Sequence, residues 1–169
     1  MLKLNLGAGE RRIAGWVSVD LHDADVCHDL SVFPWPFESD SAEHILASHV
    51  LEHFDRETGE KFVAECWRVL KLGGRLSIAV PDFDKFIRAR VTGDYAPLGG
   101  YPLTDLNHLG GGGPEHEPRE EWRHKYAYCL RSLRDLLREF GFVDITRRGP
   151  AEFDTAQHEA FSLYVDALK

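Results

Sequence analysis

The stretch that decides the fold is Leu4-Asn5-Leu6-Gly7-Ala8-Gly9-Glu10, followed by Val17-Ser18-Val19-Asp20 and then by Asp29-Leu30. A short apolar run ends at a Gly-x-Gly turn, a second run ends at a carboxylate, and a third element ends at an Asp-Leu pair. Glycine has no Cβ, so the two glycines let the backbone turn sharply and let a ligand approach it. Asp20, at the tip of the second strand, can accept both hydroxyl hydrogens of a ribose. The stretch therefore predicts a nucleoside pocket.

The spacing differs from that of a nicotinamide or flavin enzyme. The third glycine of a Gly-x-Gly-x-x-Gly motif would fall at position 12, which is Arg12. Asp20 comes only 11 positions after Gly9, whereas the dinucleotide motif places its acidic residue about 20 positions on. Little room remains for a helix whose N-terminus would hold a pyrophosphate. The pattern therefore favours a nucleoside ligand without phosphates.

Four segments, taken together, resemble the S-adenosylmethionine-dependent class I methyltransferases, and more narrowly the compact members often called type 11. The segments are Leu4-Asn5-Leu6-Gly7-Ala8-Gly9, Gly15-Trp16-Val17-Ser18-Val19-Asp20, Ser48-His49-Val50-Leu51-Glu52-His53-Phe54 and Trp67-Arg68-Val69-Leu70-Lys71-Leu72-Gly73-Gly74-Arg75-Leu76. They occur in the family's order, and the resemblance covers nearly the whole chain. It implies that S-adenosylmethionine is the cofactor and that its methyl group is transferred.

The resemblance also implies which residues bind the cofactor. The Gly7-Ala8-Gly9 turn would lie against the methionine and ribose, Asp20 would bind the ribose hydroxyls, and Leu21 would pack on the adenine. Asp29 would accept from the adenine amino group, and the Leu30 backbone N–H would reach a ring nitrogen. The implied cofactor-binding set is Leu6, Gly7, Ala8, Gly9, Asp20, Leu21, Asp29, Leu30, Ser48 and His49.

His49 is the candidate catalytic residue. In the family, the position after the fourth strand faces the activated methyl group or the acceptor. Histidine side chains commonly titrate near neutrality, and methylation of a hydroxyl or amine must release a proton, so a general-base role fits. The alternative is that His49 lines the pocket or donates to a backbone carbonyl.

The acceptor is the least determined part of the prediction. We expect His108, His124 and Tyr126 to bind it. A small hydroxylated or sugar-linked metabolite is the first choice, because similar His-Lys pairs occur in methyltransferases found beside sugar pathways, and a protein side chain is the second. A noncatalytic module that binds S-adenosylmethionine is an alternative function.

Two metal-dependent alternatives follow from the histidines. His49, Glu52 and His53 match the His-x-x-Glu-His motif of some zinc peptidases, in which a continuous helix presents both histidines. That motif follows an apparent strand and stops before a new helix, so the context is unfavourable. A metal-dependent methyltransferase would use His108, His116 or His124. The nine histidines are irregularly spaced, so no metal site is predicted.

Composition is that of one ordinary enzyme domain, residues 1–169, with 43% hydrophobic residues. The net charge of −8 argues against a nucleic-acid partner, and the arginines between Arg119 and Arg138 are interpreted as a solvated helix face. With no apolar run long enough to cross a bilayer and no leader, we expect a cytoplasmic protein without membrane association. The three scattered cysteines predict reduced thiols.

Alternating strands and helices predict an α/β, Rossmann-like class I methyltransferase sheet, mostly parallel, with an antiparallel last strand and helices on both faces. Predicted strands cover residues 2–6, 16–21, 25–30, 44–48, 75–80, 142–146 and 160–167. Predicted helices follow caps at Asp55, Asp82 and Ser132, and the first of them is expected to reach about Lys71, where Gly73-Gly74 stops it. Only nine residues separate Leu6 from Trp16, so the first crossover helix is shortened or lost. The Gly- and Pro-rich segment at about 92–118 is expected to be a flexible loop or lid.

Overall fold

The computed structural model describes residues 1–98, 123–154 and 158–169. One seven-stranded sheet has the order β3-β2-β1-β4-β5-β7-β6. The strands are β1 (Leu2–Leu6), β2 (Val17–Asp20), β3 (Val26–Cys27), β4 (Ala42–Ser48), β5 (Leu70–Pro81), β6 (Val143–Arg148) and β7 (Ser162–Leu168). The helices are α1 (Arg56–Val69), α2 (Phe83–Thr92) and α3 (Leu130–Glu139). Strands β1 to β5 pair in parallel, whereas β7 runs antiparallel to β5 and β6, so the predicted fold class is confirmed.

One face of the sheet forms the main core with α1 and α3. Successive strand residues point to opposite faces, and the residues on this face are apolar and almost fully buried. They include Leu4, Leu6, Val19, Ile45, Ala47, Leu76, Ile78, Val165 and Ala167. Phe62 and Cys66 of α1 and Leu133 and Leu137 of α3 pack against them. This layer holds the strand ends in fixed positions beneath the site.

The opposite face carries polar side chains in the described part of the chain. Ser77 donates to Asp166 at 2.7 Å and is 2.8 Å from Nε2 of His44. The rings of Trp16 and Phe153, both from loops, lie 4.6 and 5.6 Å from the His44 ring. Helices α1 and α3 therefore cover one face, whereas loop aromatics cover His44 on the other.

The first crossover has no helix, as the short spacing predicted. Residues 7–41 are all described and contain turns and short strands only. The chain turns back at once, because the backbone N–H groups of Gly7 and Ala8 both donate to the carbonyl of Val19, at 2.8 and 3.2 Å. As a result the ends of β1 and β2 are joined directly.

Helix α1 begins as predicted and ends earlier. The Asp55 side chain accepts from the backbone N–H of Thr58 at 2.9 Å, which caps the first turn. The helix ends at Val69, close to the expected Lys71, but the stop expected from Gly73-Gly74 is wrong, because the chain becomes extended at Leu70 and enters β5 directly. The glycines instead lie in an irregularity of β5, where Gly73 has a φ of +76°.

The other two predicted helix caps are also wrong in detail. Asp82 makes no side-chain cap to α2 and instead accepts from Arg147 at 3.0 Å. The N-cap of α3 is Cys129, three residues before the predicted cap Ser132, and the Ser132 hydroxyl accepts from the backbone N–H of Cys129 at 3.0 Å. Ser132 therefore takes the reciprocal place in the capping pair.

The predicted lid is described only at its beginning. Helix α2 ends at Thr92, and residues 96–98 form a short helical turn whose Leu98 is buried against Phe86 and Ala89. Residues 99–118 of that segment lie outside the described residues, and the division into one domain stays a prediction. Among the described helices, none combines the length and apolar character that crossing a membrane requires.

Candidate active site

A crevice of about 470 Å³ opens at the carboxyl ends of β1, β2 and β4. Ligands of open α/β sheets bind at this end, at the point where the strand order reverses. In this sheet that point lies between β1 and β4. Its volume lies in the range of small-molecule pockets. The lining residues are Gly7, Gly9, Asp20, Leu21, His22, His28, Asp29, Leu30, His49, Val50, His53 and Phe54.

The turn after β1 forms one wall of the crevice and depends on glycine. Gly7 has a φ of +62°, which is strained for residues with a side chain. A Cβ at this position would lie 2.3 Å from Cγ2 of Val50. The backbone of Gly7 is therefore exposed to a ligand on one side and closely packed on the other.

Asp20 joins the first two turns of the crevice. Its Oδ2 accepts from the backbone N–H of Gly9 at 2.7 Å, and its Oδ1 accepts from the backbone N–H of Leu21 at 2.7 Å. Each carboxylate oxygen keeps a second lone pair. A carboxylate held in this way at the strand tip fits a ribose diol.

The Asp29-Leu30 pair forms the far end of the crevice. Oδ1 of Asp29 accepts from both the N–H and the hydroxyl of Ser31, at 2.8 and 2.7 Å, and these bonds lower the pKa of Asp29. The carbonyl of buried Leu30 accepts from the indole N–H of Trp35 at 3.2 Å. This end is therefore fixed both by its own turn and by the core.

His49 lies at the floor of the crevice in a left-handed backbone conformation, with a φ of +57°. Its Nδ1 donates to Oε1 of Glu52 at 3.0 Å, and its Nε2 is 2.8 Å from the hydroxyl of Ser162. That hydroxyl also donates to the carbonyl of His158 at 2.6 Å. Both ring nitrogens of His49 are thus hydrogen-bonded within the protein.

Glu52 is the buried charge of this region, with 1% of its surface exposed. Burial raises its pKa, but the His49 hydrogen bond and the nearby rings of His53 and His124 outweigh burial and lower it overall. Its Oε2 has no hydrogen-bond partner among the described residues. The site therefore holds an ionised carboxylate with one oxygen unused.

Comparison with known proteins points to one family. Residues 4–78, a little under half of the chain, match the family model described as a methyltransferase domain, of type 11. Over these residues the chain is similar to S-adenosylmethionine-dependent methyltransferases, and the glycine turn together with Asp20 fits that cofactor. No curated protein matches the chain at a significant level.

Solved structures share the fold of this chain at low identity. An S-adenosylmethionine-dependent methyltransferase from Methanosarcina mazei is 16% identical, with 99% of this chain and 91% of that chain covered and a TM-score of 0.65. An S-adenosylmethionine-dependent methyltransferase from Archaeoglobus fulgidus is 14% identical, with 99% of this chain and 85% of that chain covered and a TM-score of 0.61. The third is 1,6-didemethyltoxoflavin-N1-methyltransferase from Burkholderia thailandensis with bound 1,6-didemethyltoxoflavin and S-adenosylhomocysteine. It is 18% identical, with 99% of this chain and 70% of that chain covered and a TM-score of 0.61.

Most of the residues that the sequence assigned to the cofactor line one crevice. These are Gly7, Gly9, Asp20, Leu21, Asp29, Leu30 and His49. Leu6 and Ala8 are buried behind the lining, and the buried Ser48 hydroxyl also lies outside it. Any contact of these three with the cofactor stays a prediction.

The residues assigned to the acceptor are only partly brought to the crevice. The His124 ring centroid lies 5.0 Å from that of His53, which lines the crevice. Tyr126 and His124 line a small neighbouring cavity beside Pro81. His108 lies outside the described residues.

The zinc-peptidase hypothesis is wrong. That motif needs a continuous helix through His49 and His53, but Leu51–His53 is a single short helical turn and His49 precedes it in a left-handed conformation. The His49 ring is hydrogen-bonded to Glu52 instead. The residues of the motif instead form the turn at the end of β4.

Two groups of site residues were missed from the sequence. His53 and Glu52 carried a signal in the His-x-x-Glu-His motif, which pointed to the wrong chemistry. His158 and Ser162 contact His49 from the far end of the chain, and no local pattern marks them. Val50 was also missed, because only its packing against Gly7 shows its role.

Proposed function

We propose that this methyltransferase moves the methyl group of S-adenosylmethionine to a small hydroxylated or sugar-linked acceptor. The observation that carries the proposal is that Asp20, Asp29 and His49, which come from three separate strand ends, line one crevice. The first two provide the polar contacts for an adenosine, and the third lies where the sulfonium end would be.

The residues of the chain bind and orient the reactants. The Asp20 carboxylate accepts from the ribose hydroxyls, and Asp29 accepts from the adenine amino group beside the Leu30 backbone. The turn at Gly7 lets the methionine portion lie against the backbone. S-adenosylmethionine supplies a methyl group already activated on sulfur, so near-attack positioning provides most of the acceleration.

The acceptor class is supported by the polar groups around the sulfonium end. His53 lines the crevice, and the His124 ring lies beside the His53 ring, so two imidazoles border the place where a hydroxyl would bind. A net charge of −8 does not favour a polyanionic acceptor. The cytoplasmic location and the general-base role of His49 stay predictions.

Two measurements on the purified chain test this function. Calorimetry with S-adenosylhomocysteine should give saturable binding, and Asp20→Ala should weaken it. Transfer of a labelled methyl group should then be observed with hydroxylated or sugar-linked small molecules. Absence of cofactor binding would overturn the function as a whole. Binding without transfer to any member of such a panel would favour the noncatalytic module.

A further inference from the structure

Three metal-ligating side chains converge beside the crevice. They are Glu52, His53 and His124, and one donor atom from each lies within 4.8 Å of the other two. Glu52 is buried, and the two histidines are partly buried. Because His53 also lines the crevice, this cluster adjoins the expected position of the acceptor.

One oxygen of the Glu52 carboxylate has no hydrogen-bond partner among the described residues. Oε1 of Glu52 accepts from Nδ1 of His49 at 3.0 Å. Its Oε2 is buried and has no hydrogen-bond partner in the described part of the chain. A buried carboxylate oxygen without a partner costs free energy that a bound cation would recover.

The two histidines are held by the backbone in a way that suits metal binding. Nδ1 of His53 donates to the carbonyl of Arg123 at 3.3 Å, which leaves Nε2 with the lone pair that a metal needs. The segment that carries His124 is held by two hydrogen bonds to the carbonyl of Glu52. Lys125 N–H donates to it at 2.7 Å and Tyr126 N–H at 3.2 Å.

We propose that Glu52, His53 and His124 bind a divalent transition-metal cation of the zinc type at the mouth of the crevice. Two imidazoles and one carboxylate form a ligand set that leaves a coordination position open. Ligand atoms about 2.1 Å from a tetrahedral zinc lie roughly 3.4 Å apart. The donor atoms now lie within 4.8 Å of one another, and small rotations of the two histidine side chains would bring them to this separation. The hydrogen bond from His49 orients the carboxylate from behind.

The role of the cation rests on the proposed function. A cation held there would bind the acceptor hydroxyl oxygen at its open position and make its ionisation easier, and the proton would pass to His49 where that residue acts as the base, or otherwise to water. An oxygen electron pair then forms the O–CH3 bond while the S–CH3 bond breaks. The electron pair of the broken bond stays on sulfur, which gives S-adenosylhomocysteine.

This proposal replaces the expectation that the chain has no metal site. The expectation rested on irregular histidine spacing, and His124 is indeed far from His53 along the chain. The contact of their rings is set by the docking of residues 123–128 on the turn after β4. Sequence spacing therefore carried no signal for the third ligand.

Direct metal binding is the test. The full chain, freed of metal by chelator, is titrated with Co²⁺ and the visible absorption of the bound ion is recorded, followed by displacement with Zn²⁺. One equivalent should bind. His53→Ala and His124→Ala should each weaken the affinity at least about tenfold, whereas His22→Ala, an exposed histidine at the same crevice, should not. Glu52→Gln removes a buried charge, so the histidine variants are the primary test, with thermal melting to confirm folding.

The outcomes separate this inference from the proposed function. Unaltered metal affinity in both His53→Ala and His124→Ala, or no binding of Co²⁺ and Zn²⁺ at micromolar concentration, overturns the metal site. Calorimetry with S-adenosylhomocysteine on the metal-free chain is the second arm. If the nucleoside binds and the metals do not, the proposed function stands without a cation. If the metals bind and the nucleoside does not, the site is a metal site with another purpose.

Discussion

A Cβ at Gly7 would lie 2.3 Å from Cγ2 of Val50. Gly7 begins the turn after β1, and Val50 follows His49 at the end of β4. Non-bonded heavy atoms cannot approach so closely, so only glycine at position 7 lets these two strand ends meet. The walls of the crevice depend on this contact.

The first prediction concerns that contact. Gly7→Ala combines a clash with a positive φ, so we expect a loss of about 3 kcal/mol in the free energy of unfolding, together with loss of S-adenosylhomocysteine binding. Gly9→Ala is the matched control, because a Cβ there meets nothing within 4 Å and only the φ of +53° is strained. Its cost should be about 1 kcal/mol. Urea denaturation measures both values.

A double variant tests the cause of the loss. Val50→Ala removes the clashing methyl group. The double variant, Gly7→Ala with Val50→Ala, should therefore lose less free energy of unfolding than the two single variants lose in sum. Additive losses would show that Val50 is not what excludes a side chain from position 7.

The second prediction concerns Asp20. Asp20→Ala should weaken S-adenosylhomocysteine binding by about 1.5 to 3 kcal/mol, because hydrogen bonds to a charged acceptor are lost. Asp25 is a suitable control, since it lies just beyond the same strand and accepts from Ser18 N–H at 2.8 Å, outside the crevice. Asp25→Ala should lower stability without lowering affinity. Equal losses of affinity in the two variants would remove Asp20 from the ribose site.

The third prediction separates chemistry from backbone strain at His49. His49→Asn removes the imidazole, while asparagine tolerates the φ of +57°. We expect nearly unchanged affinity for S-adenosylhomocysteine and a turnover at least about tenfold lower. His49→Ala should also lose stability, because alanine is strained in this conformation. Wild-type turnover in the asparagine variant would exclude the general-base role, and His49 would then only line the crevice.

The fourth prediction is a loss of stability in acid caused by His44. Burial, and next the charge of Arg75, lower its pKa from 6.5 to about 4. The unfolded chain therefore takes up this proton before the folded chain does. The contribution of neutral His44 is complete above pH 6.5 and is lost as the pH falls toward 4. We expect a loss of about 1 kcal/mol between pH 7 and pH 5, a figure kept small because the ring is partly exposed.

His44→Gln checks that assignment. Glutamine can keep the hydrogen bond to Ser77 but cannot take up a proton. The pKa of His158 is also lowered to about 4, with burial as its main cause, so some acid sensitivity should remain in the variant. Melting temperatures that fall equally with pH in wild type and variant would contradict a role for His44.

The sequence predicted the strands of this sheet and the first half of the crevice well. Gly7, Asp20 and Asp29 follow apolar runs in which local pattern and final position agree, so their convergence at one sheet edge follows from parallel pairing. Element ends were predicted less well. Leu70 turns directly into β5 because strand pairing with Ala42 prevails over the local stop signal at Gly73.

The second half of the site had no comparable signal. His49 is bonded to Ser162 of β7, and His53 lies against His124 from a segment held by Glu52. These partners are separated by long stretches of chain, and each contact depends on how α1, β5 and β7 pack. The His-x-x-Glu-His motif was visible, but only its backbone conformation excludes the helical zinc site.

By itself the sequence determined the sheet, the lost crossover helix and the part of the crevice formed by Gly7, Asp20 and Asp29, because these depend on apolar periodicity, glycine conformation and short spacing. Tertiary structure alone decided the surroundings of His49 and the Glu52, His53 and His124 cluster. Hydrogen bonds and ligand sets form between atoms that are close in space, and distance along the chain does not encode that closeness.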